Sequence, residues 1–229
     1  MEYTQMNQLA HLTIGEVVTK HPELVKVLMD FQVDFCCGGD RNVMDAIKRD
    51  TDAVDALVVA ADAALEAASA FSIDGGAKVT LSDFTNEQLI DRILMTHHKY
   101  LKETMPRLSE LMYKVLTVHG EHHPELYIVH KLYGNLKTEL EGHMTKEEKR
   151  LFPMILAGSK GVEILIEELE NEHVGAGDIL HTLTEVTDHF SLPKDACTSY
   201  GMVYDMLKTL VADMYMHVHT ENNILFKRF

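Results

Sequence analysis

One sequence pattern, His-x-x-x-Glu-x-x-x-Leu-Phe, occurs twice in this chain of 229 residues. The first copy places His143 four residues before Glu147, and the second places His217 four residues before Glu221. Residues four apart lie on the same face of an α-helix, so each copy presents an imidazole beside a carboxylate. Two such helices that face each other could bind two metal ions. The repetition, with the same flanking residues, therefore favours a metal site over two ordinary surface pairs.

The composition favours a helical protein that handles cations. The chain contains 13 Gly, 5 Pro and no Trp, and its apolar and charged fractions of 46% and 25% are ordinary for a globular protein. A formal net charge of −15 argues against binding to nucleic acid or to anionic membrane surfaces, because both need Lys and Arg. The 14 His in so acidic a chain fit metal chemistry better than solubility alone.

The sequence also predicts a reducing, cytoplasmic setting. No signal peptide is visible at the N-terminus, and no apolar stretch approaches the roughly 18 residues of a membrane span. Cys36 and Cys37 are adjacent, so a bridge between them would be strained, and Cys197 has no partner in the sequence. A disulfide framework is therefore not expected.

Residues 1–72 are predicted to form a small helical domain, followed by a linker at residues 73–84. Thr13-Ile-Gly-Glu16 has the form of a capping box, and Pro22 suits the first turn of the next helix. Asn42 can cap the helix that follows Cys36-Cys37-Gly38-Gly39. Paired glycines and weak periodicity indicate the linker.

Residues 85–229 are predicted to form an up-down-up-down four-helix bundle, which makes the whole chain all-α. The two His-x-x-x-Glu copies fall on the second and fourth helices, and the other two contribute His98 and His173. Pro106 is expected to bend the first helix. The predicted turns between the helices lie at residues 120–124, 157–161 and 191–195. Such a bundle would direct four His and two Glu into one interior layer.

Mixed nitrogen and oxygen ligands without thiolate suit iron, with manganese and zinc possible on ligand type alone. Glu147 and Glu221 would each bridge a pair of ions. Because a bundle interior is dry, ligand charges without a metal would be costly there. Glu139 and Glu172 lie close in sequence to the ligand histidines. They are candidate outer partners or a cation route, and exposed solubilising carboxylates are an equal alternative.

Two adjacent histidines, His97 and His98, compete for the ligand position on the first bundle helix. Adjacent helix residues point about 100° apart, so only one of the two can face the metal layer.

The ligand pattern resembles that of hemerythrin-like di-iron bundles, and Cys36-Cys37-Gly38-Gly39 is similar to the small N-terminal domain of the Repair of Iron Centres family. The resemblance covers nearly the whole chain. It implies a non-haem di-iron protein of stress defence that repairs iron–sulfur clusters damaged by nitric oxide or oxidants, by supplying iron. The family's spacing to Pro106 favours His98 over His97, and Lys227 stands where the family often has Pro.

Carried over residue by residue, the resemblance implies an oxo- and carboxylate-bridged pair of iron ions. Its implied ligands are His98, His143, Glu147, His173, His217 and Glu221. The family's paired thiols correspond to Cys36 and Cys37, for which redox chemistry or iron transfer is expected. The alternative for these two is a pair of small, buried apolar residues. The neighbouring Gly-Gly and the start of the next helix predict exposure and a lowered thiolate pKa.

Three functions compete at this stage. The first is iron donation to damaged or apo iron–sulfur proteins. The second is an enzyme, a nitric oxide or peroxide reductase at the diferrous centre, which needs a redox partner. The third is a sensor of O₂ or NO, or an iron store. The Cys pair favours the first two, and iron donation is the interpretation adopted, in a monomer or homodimer without nucleic-acid or membrane partners.

Overall fold

The computed structural model describes residues 5–70 and 80–229, which divide into two compact units. The first unit contains the described residues up to Thr85 together with Val218–Arg228, and the second contains Asn86–His217 with Phe229. Most of the predicted linker, residues 73–79, lies outside the described residues. Its last part includes a 3₁₀ turn at Leu81–Asp83.

The first unit is built from short helices. Within the described residues these are α1 (Gln5–Gln8), α2 (Ile14–Lys20), α3 (Val25–Asp30), α4 (Val43–Asp50) and α5 (Val54–Ala70). The predicted capping box is confirmed: Thr13 Oγ1 accepts from the Glu16 amide at 3.2 Å, and Glu16 Oε2 accepts from the Thr13 amide at 2.9 Å. Asn42 caps α4 as predicted, accepting from the Met44 amide at 3.0 Å. Pro22 begins a separate 3₁₀ turn before α3.

The second unit, all of whose residues the structure describes, contains four long helices and two short ones. They are α6 (Asn86–Arg92), α7 (Lys99–His119), α8 (Glu125–Lys146), α9 (Phe152–Leu156), α10 (Val162–Val186) and α11 (Thr198–Thr220), of which the part up to His217 belongs to this unit. Helix α8 packs against both α7 and α10, and the short connections at 120–124 and 157–161 make neighbouring helices antiparallel. The all-α bundle predicted from the sequence is confirmed. Helix α7 runs through Pro106 without a break.

Within the described residues, three wide π-helical turns interrupt or extend the helices of the predicted bundle. They are Ile93–His98, Glu147–Leu151 and Glu221–Leu225. His98 ends the first segment, Glu147 begins the second and Glu221 begins the third. Such turns are rare and are frequent at functional sites. A hydrophobic pattern with a period of 3.6 residues does not reveal a single wider turn, so the sequence analysis did not anticipate these segments.

Helix α10 ends at Val186, a few residues before the predicted turn at residues 191–195. Asp188, His189 and Phe190 have φ values of 46°, 56° and 62°, so the chain passes through the left-handed region and cannot continue the helix. Among the helices of the described ranges, none is long and apolar enough to cross a membrane.

Candidate metal centre

Two groups of buried ligand atoms lie within the second unit and share one carboxylate. His98, Glu147 and His217 form the first group, and His143, Glu147 and His173 form the second. In each group the ligand atoms lie within 4.8 Å of one another. Glu147 has no exposed surface, and the four imidazoles are at most 4% exposed. A dry set of imidazole and carboxylate groups at this spacing could hold metal ions.

The Glu147 carboxylate faces two different histidines. Its Oε2 lies 3.1 Å from His98 Nε2, and its Oε1 lies 3.4 Å from His143 Nε2. Neither oxygen makes a hydrogen bond to the part of the chain that the structure describes. A fully buried carboxylate without hydrogen bonds is costly, and a bound cation would remove that cost. The residues present therefore fit a bound metal, and the two oxygens of this carboxylate face two different histidines.

A second carboxylate, that of Glu148, contacts the ring nitrogen of His98 that faces away from Glu147. His98 Nδ1 lies 2.8 Å from Glu148 Oε1, and Lys102 Nζ donates to the same oxygen at 2.5 Å. Burial alone would raise the pKa of Glu148, but the hydrogen bonds from Lys102 and His98 outweigh it and hold this pKa below its usual value. When Nδ1–H donates to Glu148, the opposite ring nitrogen, Nε2, points toward Glu147 and can serve as a metal ligand.

His143 is held in the same way from helix α10. Its Nδ1 lies 2.9 Å from Glu172 Oε2, and Lys146 donates to Glu172 and, at 2.5 Å, to Glu168. Burial would raise the pKa of Glu172, but the hydrogen bonds from Lys146 and His143 keep it below its usual value. Glu172 was singled out from the sequence for its position beside His173. The structure instead places its carboxylate against His143.

The Nε2 atoms of His143 and His173 lie 2.9 Å apart. Two imidazole nitrogens about 2.1 Å from one ion, and at right angles to each other, are about 3.0 Å apart. The observed separation therefore fits two neighbouring positions around one ion.

Glu139 is exposed on α8 and lines a cavity of about 460 Å³ that also reaches His143 and His173.

The two adjacent histidines have different surroundings. His97 Nδ1 lies 2.8 Å from Asp213 Oδ1, and the His97 ring stacks on His217 with centroids 5.1 Å apart. His98 alone of the two faces Glu147. The wide turn at the end of the first π-helical segment buries both side chains, but only His98 joins a ligand group. The sequence analysis did not identify Asp213 or Glu148, because neither lies in a recognisable motif.

Glu221 is fully buried at the start of the third π-helical segment. It follows His217 by four residues on one continuous helical run, α11 and its extension. One turn of helix therefore separates these two side chains, as the repeated motif predicted.

The thiol pair lies in the first unit and departs from one expectation. Cys36 is 7% exposed and Cys37 is half-buried. Asp34 Oδ1 accepts from the backbone amides of Cys36 and Cys37, at 2.9 and 3.1 Å, and from Cys36 Sγ at 3.3 Å. The hydrogen bond with Cys37, burial and the nearby carboxylate raise the pKa of Cys36 well above its ordinary value. The prediction of a lowered thiolate pKa is wrong for Cys36, because the hydrogen bond with Cys37, burial and the negative charge of Asp34 all favour the neutral thiol.

Comparisons with known proteins agree with both parts of this architecture. The model of the hemerythrin HHE cation binding domain matches residues 89–229, and that of ScdA_N, a domain of unknown function, matches residues 10–66.

The iron-sulfur cluster repair protein YtfE of Enterobacter sp. (strain 638) is 32% identical over 217 residues, 94% of each chain. YtfE of Salmonella paratyphi B is 31% identical, again over 94% of each chain. The iron-sulfur cluster repair protein ScdA of Staphylococcus epidermidis is 28% identical over 94% of this chain and 96% of its own. The chain therefore belongs to the hemerythrin HHE family and, within it, to the iron–sulfur cluster repair proteins called Repair of Iron Centres.

Proposed function

We propose that this protein holds two iron ions in its histidine–glutamate centre and supplies iron to iron–sulfur proteins damaged by nitric oxide or oxidants. The observation that carries the proposal is Glu147, a fully buried carboxylate whose two oxygens face His98 and His143. The relatives named as iron-sulfur cluster repair proteins supply the class of recipient. We place the activity in the cytoplasm, where thiols such as those of Cys36 and Cys37 stay reduced.

The proposed ligand assignment follows the two groups. One ion is assigned to His98 and His217, the other to His143 and His173, with Glu147 between them. Glu221 is assigned as the second bridging carboxylate because it lies one helical turn after His217. When bound, the ions supply Lewis-acid and one-electron chemistry. The protein's own contribution is to keep the ligand imidazoles neutral, oriented and dry.

Donation requires a route by which iron leaves, and the cavity beside His143 and His173 supports one. Its lining includes both buried histidines, the exposed Glu139 and two exposed glycines, Gly142 and Gly175. Because buried and exposed residues line the same space, the cavity connects the ligand groups with the surface. The carboxylate of Glu139 suits the passage of a cation.

The glycines allow the route to be closed without touching a ligand. A Cβ added at Gly142 or Gly175 meets nothing within 4 Å, so Gly142→Leu and Gly175→Leu have space for the new side chain. We expect unchanged iron content and slower release of iron to a chelator. Gly134→Leu is the matched control, since Gly134 has the same open space on α8 but does not line the cavity. Release at the unmodified rate in both cavity variants would exclude this route.

The proposed function is tested by cluster repair in vitro. The diferrous protein is incubated anaerobically with a cluster enzyme inactivated by nitric oxide, and the enzyme's activity is followed. We expect recovery beyond that given by an equal amount of free iron, and no such recovery with Glu147→Gln. Recovery equal to that with free iron would contradict donation.

A second candidate, reduction of nitric oxide at the diferrous centre, is favoured by the small apolar groups that line the cavity, among them Leu140, Gly142 and Ala176. An apolar lining admits an uncharged diatomic gas without the desolvation cost that an ion pays there. The reaction consumes two NO, two electrons and two protons and yields N₂O and water. Catalytic N₂O formation with an added electron donor, in the absence of any iron transfer, would favour this alternative.

A further inference from the structure

A second cluster of metal-ligand atoms lies in the first unit, apart from the histidine–glutamate groups. Asp34, Cys36 and Cys37 each offer one ligand atom, and these atoms lie within 4.8 Å of one another. The two Sγ atoms are 3.9 Å apart, and Asp34 Oδ1 lies 3.3 Å from Cys36 Sγ. Asp34 and Cys37 are partly exposed, so an ion in solution can reach the cluster.

The separations fit chelation better than a disulfide. Two thiolates about 2.3 Å from one tetrahedral ion lie about 3.8 Å apart, and a thiolate and a carboxylate oxygen about 3.6 Å apart. The observed distances of 3.9 and 3.3 Å are close to both values. A disulfide needs its sulfurs about 2.05 Å apart, and a bridge between adjacent residues is strained.

The loop that presents these ligands is fixed by an arginine. Arg41 donates to the Asp34 carbonyl at 2.6 Å and binds both carboxylate oxygens of Asp50 at 2.8 Å. The Asp34 carboxylate is oriented in turn by the amides of Cys36 and Cys37. The three ligand atoms are therefore held on one side of the loop before any ion arrives, which lowers the entropic cost of binding.

Asn223, near the C-terminal end of the chain, also holds this loop in place. Asn223 Nδ2 donates to the carbonyls of Phe35 and Cys36, at 3.2 and 3.0 Å. The Asn223 side chain also lies against Gly39, where an added Cβ would be 1.8 Å from Asn223 Oδ1. Because Gly39 has no Cβ, the Asn223 side chain can approach closely enough to hydrogen-bond the Cys36 carbonyl.

We propose that Asp34, Cys36 and Cys37 form a second, labile site for one divalent transition-metal ion. On binding, the two thiols lose their protons to solvent, and the ion takes two thiolates and one carboxylate without any change of oxidation state. The partial exposure of Cys37 leaves access for a thiolate of a recipient protein. The identification of this ion as iron in transit rests on the proposed function. The capacity of the three residues to bind a metal does not depend on it.

The electrostatics of the cluster support a cation. Three groups that would be anions in the metal-bound state, one carboxylate and two thiolates, are crowded within 4.8 Å of one another. A divalent ion would relieve that repulsion, because a coordinated thiol is deprotonated.

The test is an anaerobic Co²⁺ titration of the full-length, iron-loaded protein. Thiolate ligation gives a sulfur-to-cobalt charge-transfer band in the near ultraviolet, which the thiolate-free histidine–glutamate centre cannot produce. We expect the band to saturate at about one Co²⁺ per chain. It should vanish in Cys36→Ser/Cys37→Ser and require at least tenfold more cobalt in Asp34→Asn. Cys197→Ser, which removes the exposed third thiol, is the matched control and should keep the band.

The site is overturned if the folded protein shows no thiolate band, or if the band survives loss of both adjacent thiols. A measurement without substitutions guards against misfolded variants: Zn²⁺ should protect Cys37, but not Cys197, from iodoacetamide. Equal alkylation of Cys37 with and without Zn²⁺ would also overturn the site. Glu147→Gln separates the two proposals, because it should abolish iron donation and leave the cobalt band intact.

Discussion

His98 Nδ1 lies 2.8 Å from Glu148 Oε1, while Nε2 of the same ring lies 3.1 Å from Glu147 Oε2. Two consecutive glutamates therefore act on opposite nitrogens of one imidazole. Adjacent residues of an α-helix point about 100° apart, and the wide turn that begins at Glu147 is where this arrangement occurs. The hydrogen bond to Glu148 fixes the tautomer of the His98 ring, and the Glu147 carboxylate remains available to bind a cation together with this ring.

Glu148→Gln tests the outer carboxylate. The amide keeps the shape but loses the charge that favours Nδ1–H, so we expect metal affinity to fall by about 10- to 100-fold, as is typical for partners of metal-bound histidines. Competition with a chelator measures the change. Glu110→Gln, an exposed substitution on α7, is the control and should leave the affinity unchanged. An unaltered affinity in Glu148→Gln would contradict the role given to this residue.

A pair of substitutions separates the adjacent histidines. His98→Gln removes the imidazole that faces Glu147 and should lower the iron content to about half or less. His97→Gln removes the contact with Asp213 and the stack on His217, and should retain most of the iron. Metal analysis after desalting gives both values. Greater iron loss from His97→Gln than from His98→Gln would reverse the assignment.

The contact between Gly39 and Asn223 predicts coupled effects on stability. Asn223→Ala removes the donor to two backbone carbonyls and should lower the free energy of unfolding by about 1–3 kcal/mol. Gly39→Ala should cost a similar amount, since its Cβ would displace the Asn223 side chain.

The double variant Gly39→Ala/Asn223→Ala should then be little worse than either single variant, because the clash has no partner once Asn223 is shortened. Denaturant unfolding of the four proteins measures the coupling. Fully additive losses would show that the two residues act independently.

A histidine remote from the proposed ligands provides a pH test. The hydrogen bond with Asp195 raises the pKa of His123, and Glu125 adds to the effect, while burial opposes it. A folded-state pKa above the unfolded value of about 6.5 means a contribution to stability that is fully present below that pH. This contribution is lost as the pH rises through the raised pKa.

NMR titration of the His123 ring measures this directly. Asp195→Asn should lower the pKa of His123, whereas Asp205→Asn, an exposed change on α11, should not. The same pKa in the unmodified protein and in Asp195→Asn would show that the hydrogen bond does not carry the effect.

Local patterns in the sequence predicted the helices and the spacing of the His and Glu residues that the structure brings together in the interior. The capping box at Thr13 and Glu16 is a short-range interaction and was confirmed. The spacing of His143 and Glu147 follows from helix geometry, and the buried pair lies where the repeated motif placed it. The bundle followed from amphipathic periodicity and short turns.

Contacts between distant parts of the chain were not predictable in this way. Glu148 is 50 residues from His98, and Asp213 is 116 residues from His97. Asn223 is 187 residues from Cys36, whose carbonyl it binds. None of these pairs leaves a local signature, because the packing of separate helices brings them together.

The most direct test of the account is the iron content of the protein after anaerobic reconstitution and desalting. We predict about two iron ions per chain in the unmodified protein, as for other two-metal sites, and less than about one in Glu147→Gln. Glu141→Gln, exposed on the same helix, should match the unmodified protein. A folded, unmodified protein that retains no iron, or a Glu147→Gln variant that retains the full amount, would contradict the central claim.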